Sequence, residues 1–416
     1  MIQITNKSQC CGCTACFSIC EHNAISMVMD GEGFLYPAVD LSACIRCGMC
    51  EDTCPYKGNG EKDREASSLH IAVQYKDERK RVESTAGGAF SLIADYVLEK
   101  KGVVYGVGYD DMIVCHKLAD EEKDIREMRG SKYVQSTLKE TFREICKFLN
   151  EKRTVLFVGT PCQVHGLNNY LMKKNCILDK LITIDLLCLG VSSPGIFEKW
   201  VKFLEERYGD KVCGVEFRNK RFGYAVTNVR IRFQNQRVLE QKFDTKAYIK
   251  TFFSGYNVRP SCYECKFRTM PRVSDFTIGD FIQIGDYSEE MDDDKGTTSL
   301  WAHTDKARQI LEKVQGRFRR SEIEKECSNI IGGPQRQMRI PERRVEFFED
   351  ARQIPYDLFI RKWEPDSIRS RFASLVRITF DRFPWGKYVF RQMRRMQSRN
   401  FKKKVMRIQN GTVTEK

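Results

Sequence analysis

The chain has 416 residues, 41% of them hydrophobic, with 18 cysteines and a formal net charge of +14. Such a length suits two or three domains, and no run approaches 18 uninterrupted apolar residues, which excludes a transmembrane helix. The opening MIQITNKSQC has no apolar leader, so a cytoplasmic chain is expected, at most peripheral to a membrane, and a short secreted disulfide scaffold is excluded.

Nine of the cysteines fall in the first 54 residues. Cys10, Cys13, Cys16 and Cys20 follow the spacing C-x2-C-x2-C-x3-C, and Cys44, Cys47, Cys50 and Cys54 repeat it before Pro55. Bacterial two-cluster ferredoxins have this spacing, and there the fourth cysteine of each run ligates the other cluster. The prediction is therefore one 4Fe-4S cluster on Cys10, Cys13, Cys16 and Cys54, and a second on Cys44, Cys47, Cys50 and Cys20. Zinc would instead favour paired C-x2-C knuckles. Gly12, Thr14, Ala15 and Gly48 are small enough to let backbone amides approach inorganic sulfur. Glu21 stands where a proline commonly follows the fourth cysteine, and Cys11 reads as a spare thiol. With the strand-like NAISMVMD and YPAVDL, residues 1–58 form an α+β ferredoxin-type domain.

A polar, charged linker is expected over 59–67. LHIAVQY reads as a strand, and STAGGAFSLIADYVLEK as a turn entering an amphipathic helix with Phe90, Ile93, Ala94, Val97 and Leu98 on one face. Ser84, Thr85, Gly87 and Gly88 sit at that helix N-terminus, where amides and dipole favour an anion; an ordinary N-cap has the same composition. GVVYGVGYD and MIVCHKLA follow as strands. RGSKYVQS then places Lys132, Tyr133 and Gln135 in a loop before the helix TLKETFREICKFLNE. A cation, an aromatic face and an amide suit a flavin or nucleotide, and equally a capped loop with a solvated lysine.

TVLFVGTPCQVHGL and LITIDLLCLGVSSPGIFEKWVKFLEERYG are two strand–turn–helix units, the pattern of a parallel, doubly wound sheet. Ligands sit beyond the carboxyl ends of such strands, where Cys162 and Cys188 lie. CGVEFRNKRFGYAVTNVRIRF and RVLEQKF read as antiparallel strands, and TKAYIKTFFSG as a helix ending at Gly255. The pair Cys262 and Cys265 in RPSCYECKF suits a redox dithiol, a zinc knuckle or half of a cluster site. A strand with Asp275 and Asp280 and a further strand and helix close the body. Residues 336–416 hold 21 Lys/Arg against 9 Asp/Glu, so the basic excess belongs to a helical tail. Its end, with Trp385, Tyr388, Phe390 and Met393 among cations, suits an interfacial helix or a partner-docking segment. It lacks the fold or readout residues of a nucleic-acid domain, so nucleic acid is not the expected partner.

ESTAGGAFSLIADYVL, GSKYVQS, GTPCQVHGL, DLLCLGVSSP, FRNKRFGY and RPSCYECKFRTMPRVSDFTIGDF, in this order, resemble the beta subunits of coenzyme F420-reducing hydrogenases and dehydrogenases. That family includes 7-hydroxymethyl chlorophyll a reductase. The resemblance spans about 68–330 and implies FAD beside a third 4Fe-4S cluster. It puts Cys162, Cys188, Cys262 and Cys265 on that cluster, and Ser84, Thr85, Gly87, Gly88, Ser131, Lys132 and Tyr133 in the flavin site. FIQIG at 281–285 departs from the family's usual Trp-Gly pair, and the tail has no counterpart.

The expected fold is an α/β body with a mixed sheet (68–150 and 151–335), an N-terminal two-cluster ferredoxin domain and a basic helical tail over 336–416. The expected function is an iron–sulfur flavoprotein oxidoreductase between a redox carrier and FAD, with hydride transfer to or from a substrate, a surface-polysaccharide metabolite being one class the resemblance suggests. The alternative is a non-catalytic electron-transfer subunit serving a partner enzyme. No general acid stands out; His165, beside Cys162, is the nearest and suits a structural role better.

Overall fold

A computed structural model describes residues 1–57, 68–224, 226–270, 272–323, 338–365, 367–381 and 383. The expected linker, 59–67, and nearly all of the basic end beyond 381 lie outside the described residues.

In the first domain, helices α1 (Ala15–Ile19) and α2 (Met49–Thr53) each start on a left-handed residue, Thr14 and Gly48, and each end at a cysteine, Cys20 and Cys54. Between them β1 (Ile25–Met29) and β2 (Leu35–Val39) pair antiparallel, with Ile25 opposite Val39. The sequence repeat is thus a structural repeat.

The body contains β3 (Leu69–Tyr75), α3 (Glu78–Glu83), α4 (Ala89–Glu99), β4 (Val103–Asp110), β5 (Ile113–Ala119), α5 (Glu122–Met128), α6 (Thr141–Asn150), β6 (Val155–Gly159), α7 (Pro161–Lys173), β7 (Leu181–Leu186) and α8 (Pro194–Tyr208). It continues with β8 (Val212–Glu216), β9 (Arg230–Phe233), β10 (Val238–Glu240), α9 (Phe243–Phe253), α10 (Pro260–Tyr263), β11 (Phe276–Asp280), β12 (Thr298–Ala302), α11 (Asp305–Lys313) and β13 (Phe318–Glu322). Eight of these strands form one sheet in the order β13-β3-β12-β11-β7-β6-β4-β5, and β8, β9 and β10 form a separate sheet of three.

The unit β6–α7–β7 is a parallel crossover as its pattern predicts, and β4, β6, β7 and β11 run parallel. The sheet is nevertheless mixed rather than doubly wound, because its flanks turn back: β5 on β4, β12 on β11, and β3 between β12 and β13 are all antiparallel. Asp111 and Met112, both at positive φ, close β4 to β5 in a two-residue hairpin, which leaves no room for a crossover helix. Strands from both sides of residue 150 share this sheet.

The ferredoxin domain has no separate core. Ile2, Ala15, Ile19 and Ile25 pack in one cluster with Phe142 and Ile145 of α6 and Val164, Leu167 and Tyr170 of α7. Polar contacts seal the seam. Arg143 donates to the carbonyls of Phe17, Ser18 and Cys20 at 3.1, 2.9 and 3.0 Å. Asn169 donates to Thr53 O at 3.1 Å.

The tail helices α12 (Arg344–Gln353) and α13 (Tyr356–Trp363) bury Phe347, Phe359 and Trp363 in the cluster that also holds Trp200 and Tyr248. Arg344 clamps Glu32 of the ferredoxin domain with two bonds, 2.9 and 2.7 Å. Helix α14 (Ile368–Asp381) follows. A disulfide joins Cys146 of α6 to Cys176, just beyond α7, with 6.3 Å between Cα atoms. Clustered cysteines in a reduced compartment point to metal; these two meet because their helices pack side by side. Among the described residues, no helix is long and apolar enough to cross a membrane.

Gly87 is the tightest point of the body: a Cβ there would stand 2.0 Å from Val73 O and 2.6 Å from Thr298 N. Gly87→Ala is expected to destabilise by at least about 3 kcal/mol, the upper end of overpacking costs, read as a lowered Tm and a reduced soluble yield.

Candidate functional site

The two cysteine runs of the ferredoxin domain fold alike because their backbones alternate in hand. Gly12 and Thr14 in the first run, and Arg46 and Gly48 in the second, all have positive φ, between 57° and 80°. Such alternation turns successive amides toward one point and makes an anion-binding nest of the kind that holds iron–sulfur clusters. Thr14 and Arg46 bear a steric penalty there that a mere turn would not require.

The thiols of Cys10, Cys13, Cys16 and Cys54 come together. Burial first, then Cys10, Cys54 and Cys50, push the Cys16 thiol pKa up, and Cys13 has Cys54 and Cys16 as neighbours. In the second run, Cys50 Sγ accepts from Ile2 N at 3.2 Å, and Cys50 and Cys44 both act on the nearby N-terminal amine. Cys20 holds in α1 the place that Cys54 holds in α2. Cys47 is exposed and Cys50 buried, so this second set reaches the surface at Cys47.

Cys162, Cys188, Cys262 and Cys265 also converge. Cys162 is in the first turn of α7, Cys188 lies two residues past β7, and Cys262 is in α10. Burial raises the Cys188 thiol pKa, and Cys262, Cys162 and Cys265 add to it. Cys262 is pushed up to about 12 by burial, then by Cys162 and Cys265. Arg268 and Arg272, both buried, act on Cys265 in the opposite sense. Arg272 also lies 3.4 Å from the buried carboxylate of Asp185 in β7.

Among the described residues, no three His, Cys, Asp or Glu side chains stand as close as the ligands of one metal ion do. A cubane spreads its thiolates around four irons, so the two all-sulfur sets are judged by their chemistry. Four soft thiols with no carboxylate or histidine suit an iron–sulfur cluster. The hydroxyls of Thr14, Ser18 and Ser261, beside these cysteines, are buried without a hydrogen-bond partner. Cluster sulfur would give them one.

The residues expected at a flavin are brought together in part. Thr85 Oγ1 is 3.0 Å from Ser131 Oγ and accepts from Ser131 N at 2.7 Å, so the two loops meet. Gly88 caps α4 at φ 88°. The donors themselves are committed. Gly87 N donates to Thr298 Oγ1 at 2.8 Å, and Ser84 Oγ to Lys80 O at 2.7 Å. Lys132 caps α5, its ammonium donating to the carbonyls of Glu127, Met128 and Arg129 at 3.0–3.1 Å, and burial lowers its pKa to about 7. As placed, the Ser84 hydroxyl, the Gly87 amide and the Lys132 ammonium are already engaged, and the Thr85–Ser131 pair leaves one hydroxyl hydrogen over. Tyr133 is packed among Phe217, Phe252 and Phe253. His165 packs on Phe267, ring centres 4.8 Å apart, as a structural residue would.

Sequence reading gives no role to the cations of FRNKRFGY. Arg218 pairs with Asp280 at 2.6 Å, at the carboxyl end of β11, and reaches Tyr133 Oη at 3.4 Å. Lys220 donates to the carbonyls of Arg81, Ala86 and Lys295, each at 2.7 Å. It ties the 84–88 loop to the loop before β12, and burial lowers its pKa to about 7. The available signal is three cations, Arg218, Lys220 and Arg221, in a segment that otherwise reads as strand.

Residues 152–326 match the family model for the C terminus of the coenzyme F420 hydrogenase/dehydrogenase beta subunit. This part of the chain is similar to that family's C-terminal region. Residues 9–57 match the 4Fe-4S dicluster domain. The chain is thus an iron–sulfur, oxidoreductase-family protein in which a dicluster ferredoxin precedes the beta-subunit body. It is also similar to a chain of the xenon-derivatised F420-reducing nickel–iron hydrogenase complex from Methanosarcina barkeri. Identity there is 17%, coverage 64% of this chain and 86% of that one, and the TM-score 0.44. No curated protein sequence matches the chain.

Replacing Lys220 with Met leaves three carbonyls without their donor, at a cost of about 1–3 kcal/mol. Hydrogen exchange is expected to accelerate at 81–88 and 293–297 and to stay unchanged in the ferredoxin domain.

Proposed function

We propose that the chain carries electrons from a soluble redox carrier, through the ferredoxin domain, to a third cluster site on Cys162, Cys188, Cys262 and Cys265 inside the beta-subunit body. The observation that carries this reading is the convergence of those four half-buried thiols from three separate segments onto one point. When bound, the clusters would supply one-electron storage, and FAD, which the resemblance implies, a switch between one- and two-electron chemistry. The chain's own residues hold the thiolates and surround the third set with buried arginines, which favour its more negative state.

FAD is supported by the resemblance and by the meeting of the Thr85 and Ser131 loops; the committed donors around them speak for the second reading, an electron-transfer subunit that hands its electrons to a partner enzyme. Flavin content separates the two. If flavin is present, surface-polysaccharide metabolites are the first substrates to assay.

A protein purified without oxygen is expected to hold about 12 irons, the sum of three cubanes, and one flavin per chain. Cys262→Ala is expected to lose about four of those irons and to keep the N-terminal clusters' signals. About 8 irons in the wild type would remove the third cluster, and full iron without flavin would leave the subunit reading.

We further propose that α14 docks on an anionic membrane surface. Its Ile368, Phe372 and Leu375, at i, i+4 and i+7, are 84%, 66% and 62% exposed. The polar side faces the protein instead, Ser374 being buried and accepting from Lys246 at 2.5 Å. From 368 to 416 the chain has fourteen Lys/Arg against two Asp/Glu, a charge that complements acidic lipid. The full chain should float with phosphatidylglycerol vesicles at low salt and not with phosphatidylcholine vesicles, and the double variant Phe372→Glu, Leu375→Glu should lose flotation. Equal flotation with both lipids, or none with either, would overturn the assignment.

A further inference from the structure

We propose that Arg259 and Cys11 form the junction between the ferredoxin domain and the third cysteine set, Arg259 also setting the potential of the cluster held by Cys10. This rests on the three-cluster reading above. Arg259 is wholly buried, at 0% exposure. Its Nε donates to Cys10 O at 2.7 Å and its Nη2 to Leu35 O at 3.0 Å, with Nη2 3.6 Å from Cys10 Sγ. Its Nη1 donates to Gln135 Oε1 at 2.8 Å, and its guanidinium lies 4.2 Å from the centre of the Tyr36 ring.

Among the described residues no carboxylate pairs with Arg259. A buried cation without a counter-ion is strongly unfavourable. Here the negative charge within reach is the thiolate side of Cys10, so the arginine gains its counter-charge only when that site holds a thiolate-ligated cluster. The pairing works both ways: a fixed cation stabilises the more reduced, more negative state and raises that cluster's potential.

The backbone of Arg259 reaches the other site. Its carbonyl accepts from Cys262 N at 2.9 Å, and its N–H donates to Val191 O at 3.0 Å. One residue therefore joins Cys10 of the first set to Cys262 of the third. Cys11 makes a parallel join, its buried thiol packed in one cluster with Cys13 on the ferredoxin side and Cys162 on the body side. Gln135 holds this loop by donating to Cys11 O at 2.9 Å. Gly12 allows the approach: at φ 68°, a Cβ would stand 2.6 Å from Gln135 Nε2 and 3.0 Å from Arg259 Nη1.

Both joins leave from the Cys10 set, and the Cys44 set reaches the surface at Cys47. With clusters bound, an electron crossing the junction would oxidise the cluster held by the Cys10 set by one unit and reduce the one held by the Cys262 set by one, with no bond made or broken and no proton required.

The test uses the full chain, purified anaerobically with its clusters, iron counted first and midpoints then read by EPR-monitored titration. With iron content unchanged, Arg259→Gln should move one transition to more negative potential and leave the others in place, and Arg259→Lys should move it less. Gln135→Leu, which keeps the charge but frees the guanidinium, should shift the same transition and serves if Arg259→Gln does not accumulate. Cys11→Ala should leave the midpoints in place and slow reduction of the third cluster in rapid-freeze traces. Unmoved midpoints in Arg259→Gln or, where that does not accumulate, in Gln135→Leu overturn the tuning role. Unchanged transfer in Cys11→Ala overturns its part in the junction. A wild type with only the two ferredoxin clusters fails at the iron count and overturns the three-cluster reading itself.

Discussion

The close seating of α1 on α7 is the constraint on which the rest depends. Gly166, in the middle of α7, has no side chain, and a Cβ there would lie 2.8 Å from Cys13 Sγ. That contact lets the ferredoxin domain share a core with the body instead of hanging from a tether. Because α7 follows β6 and carries Cys162 in its first turn, the same helix sets the distance between the first and third cysteine sets. A second close approach, Gly33 against Gly195, fixes the β1–β2 turn at the start of α8, where Gly195 N donates to Gly33 O at 3.2 Å. Two glycine contacts thus orient a domain that also has buried polar seals.

Much of this was legible in the sequence, for identifiable reasons. The cysteine spacing reports local geometry, and local geometry is what four thiolates on a short loop require. Strands such as LITIDL and VLFVG read as parallel because they are mostly apolar and lead into helices. The flanking strands were harder. β13, FRRSE, has one buried residue at its start and reads as polar; only its pairing with β3 makes it a strand. The dual use of the 129–136 loop was not legible either. Ser131 turns to Thr85, Tyr133 to Arg218, and Gln135 to Cys11 and Arg259. A loop was visible there, but the partners of Gln135 come from segments more than a hundred residues away.

Buried cations shape the body's electrostatics, and they fall into two kinds. Lys132 and Lys220 are held by backbone carbonyls and act as clips for loops. Arg81 is similar, donating to Gly296 O and pairing with Asp293. Arg259, Arg268 and Arg272 instead surround the thiols. The division follows side-chain chemistry: a compact ammonium suits a ring of carbonyls, whereas a planar guanidinium spreads its charge over sulfur and aromatic faces at less desolvation cost. A composition count of Lys and Arg cannot separate the two, and the basic excess of the tail hides both.

The order of strands in the large sheet bears on how the chain is made. β3 is flanked by β12 and β13, whose residues 298–302 and 318–322 emerge last from the ribosome among the sheet's strands. Until then both edges of an apolar strand, HIAVQY, stay open to wrong pairing. The ferredoxin domain meanwhile is complete in sequence from the outset, yet the α6–α7 surface it packs on is still to come. Cluster loading during synthesis would therefore act on a domain whose hydrophobic flank is bare, and the closing of the sheet by β12 and β13 is the late event that commits the whole chain to its native shape.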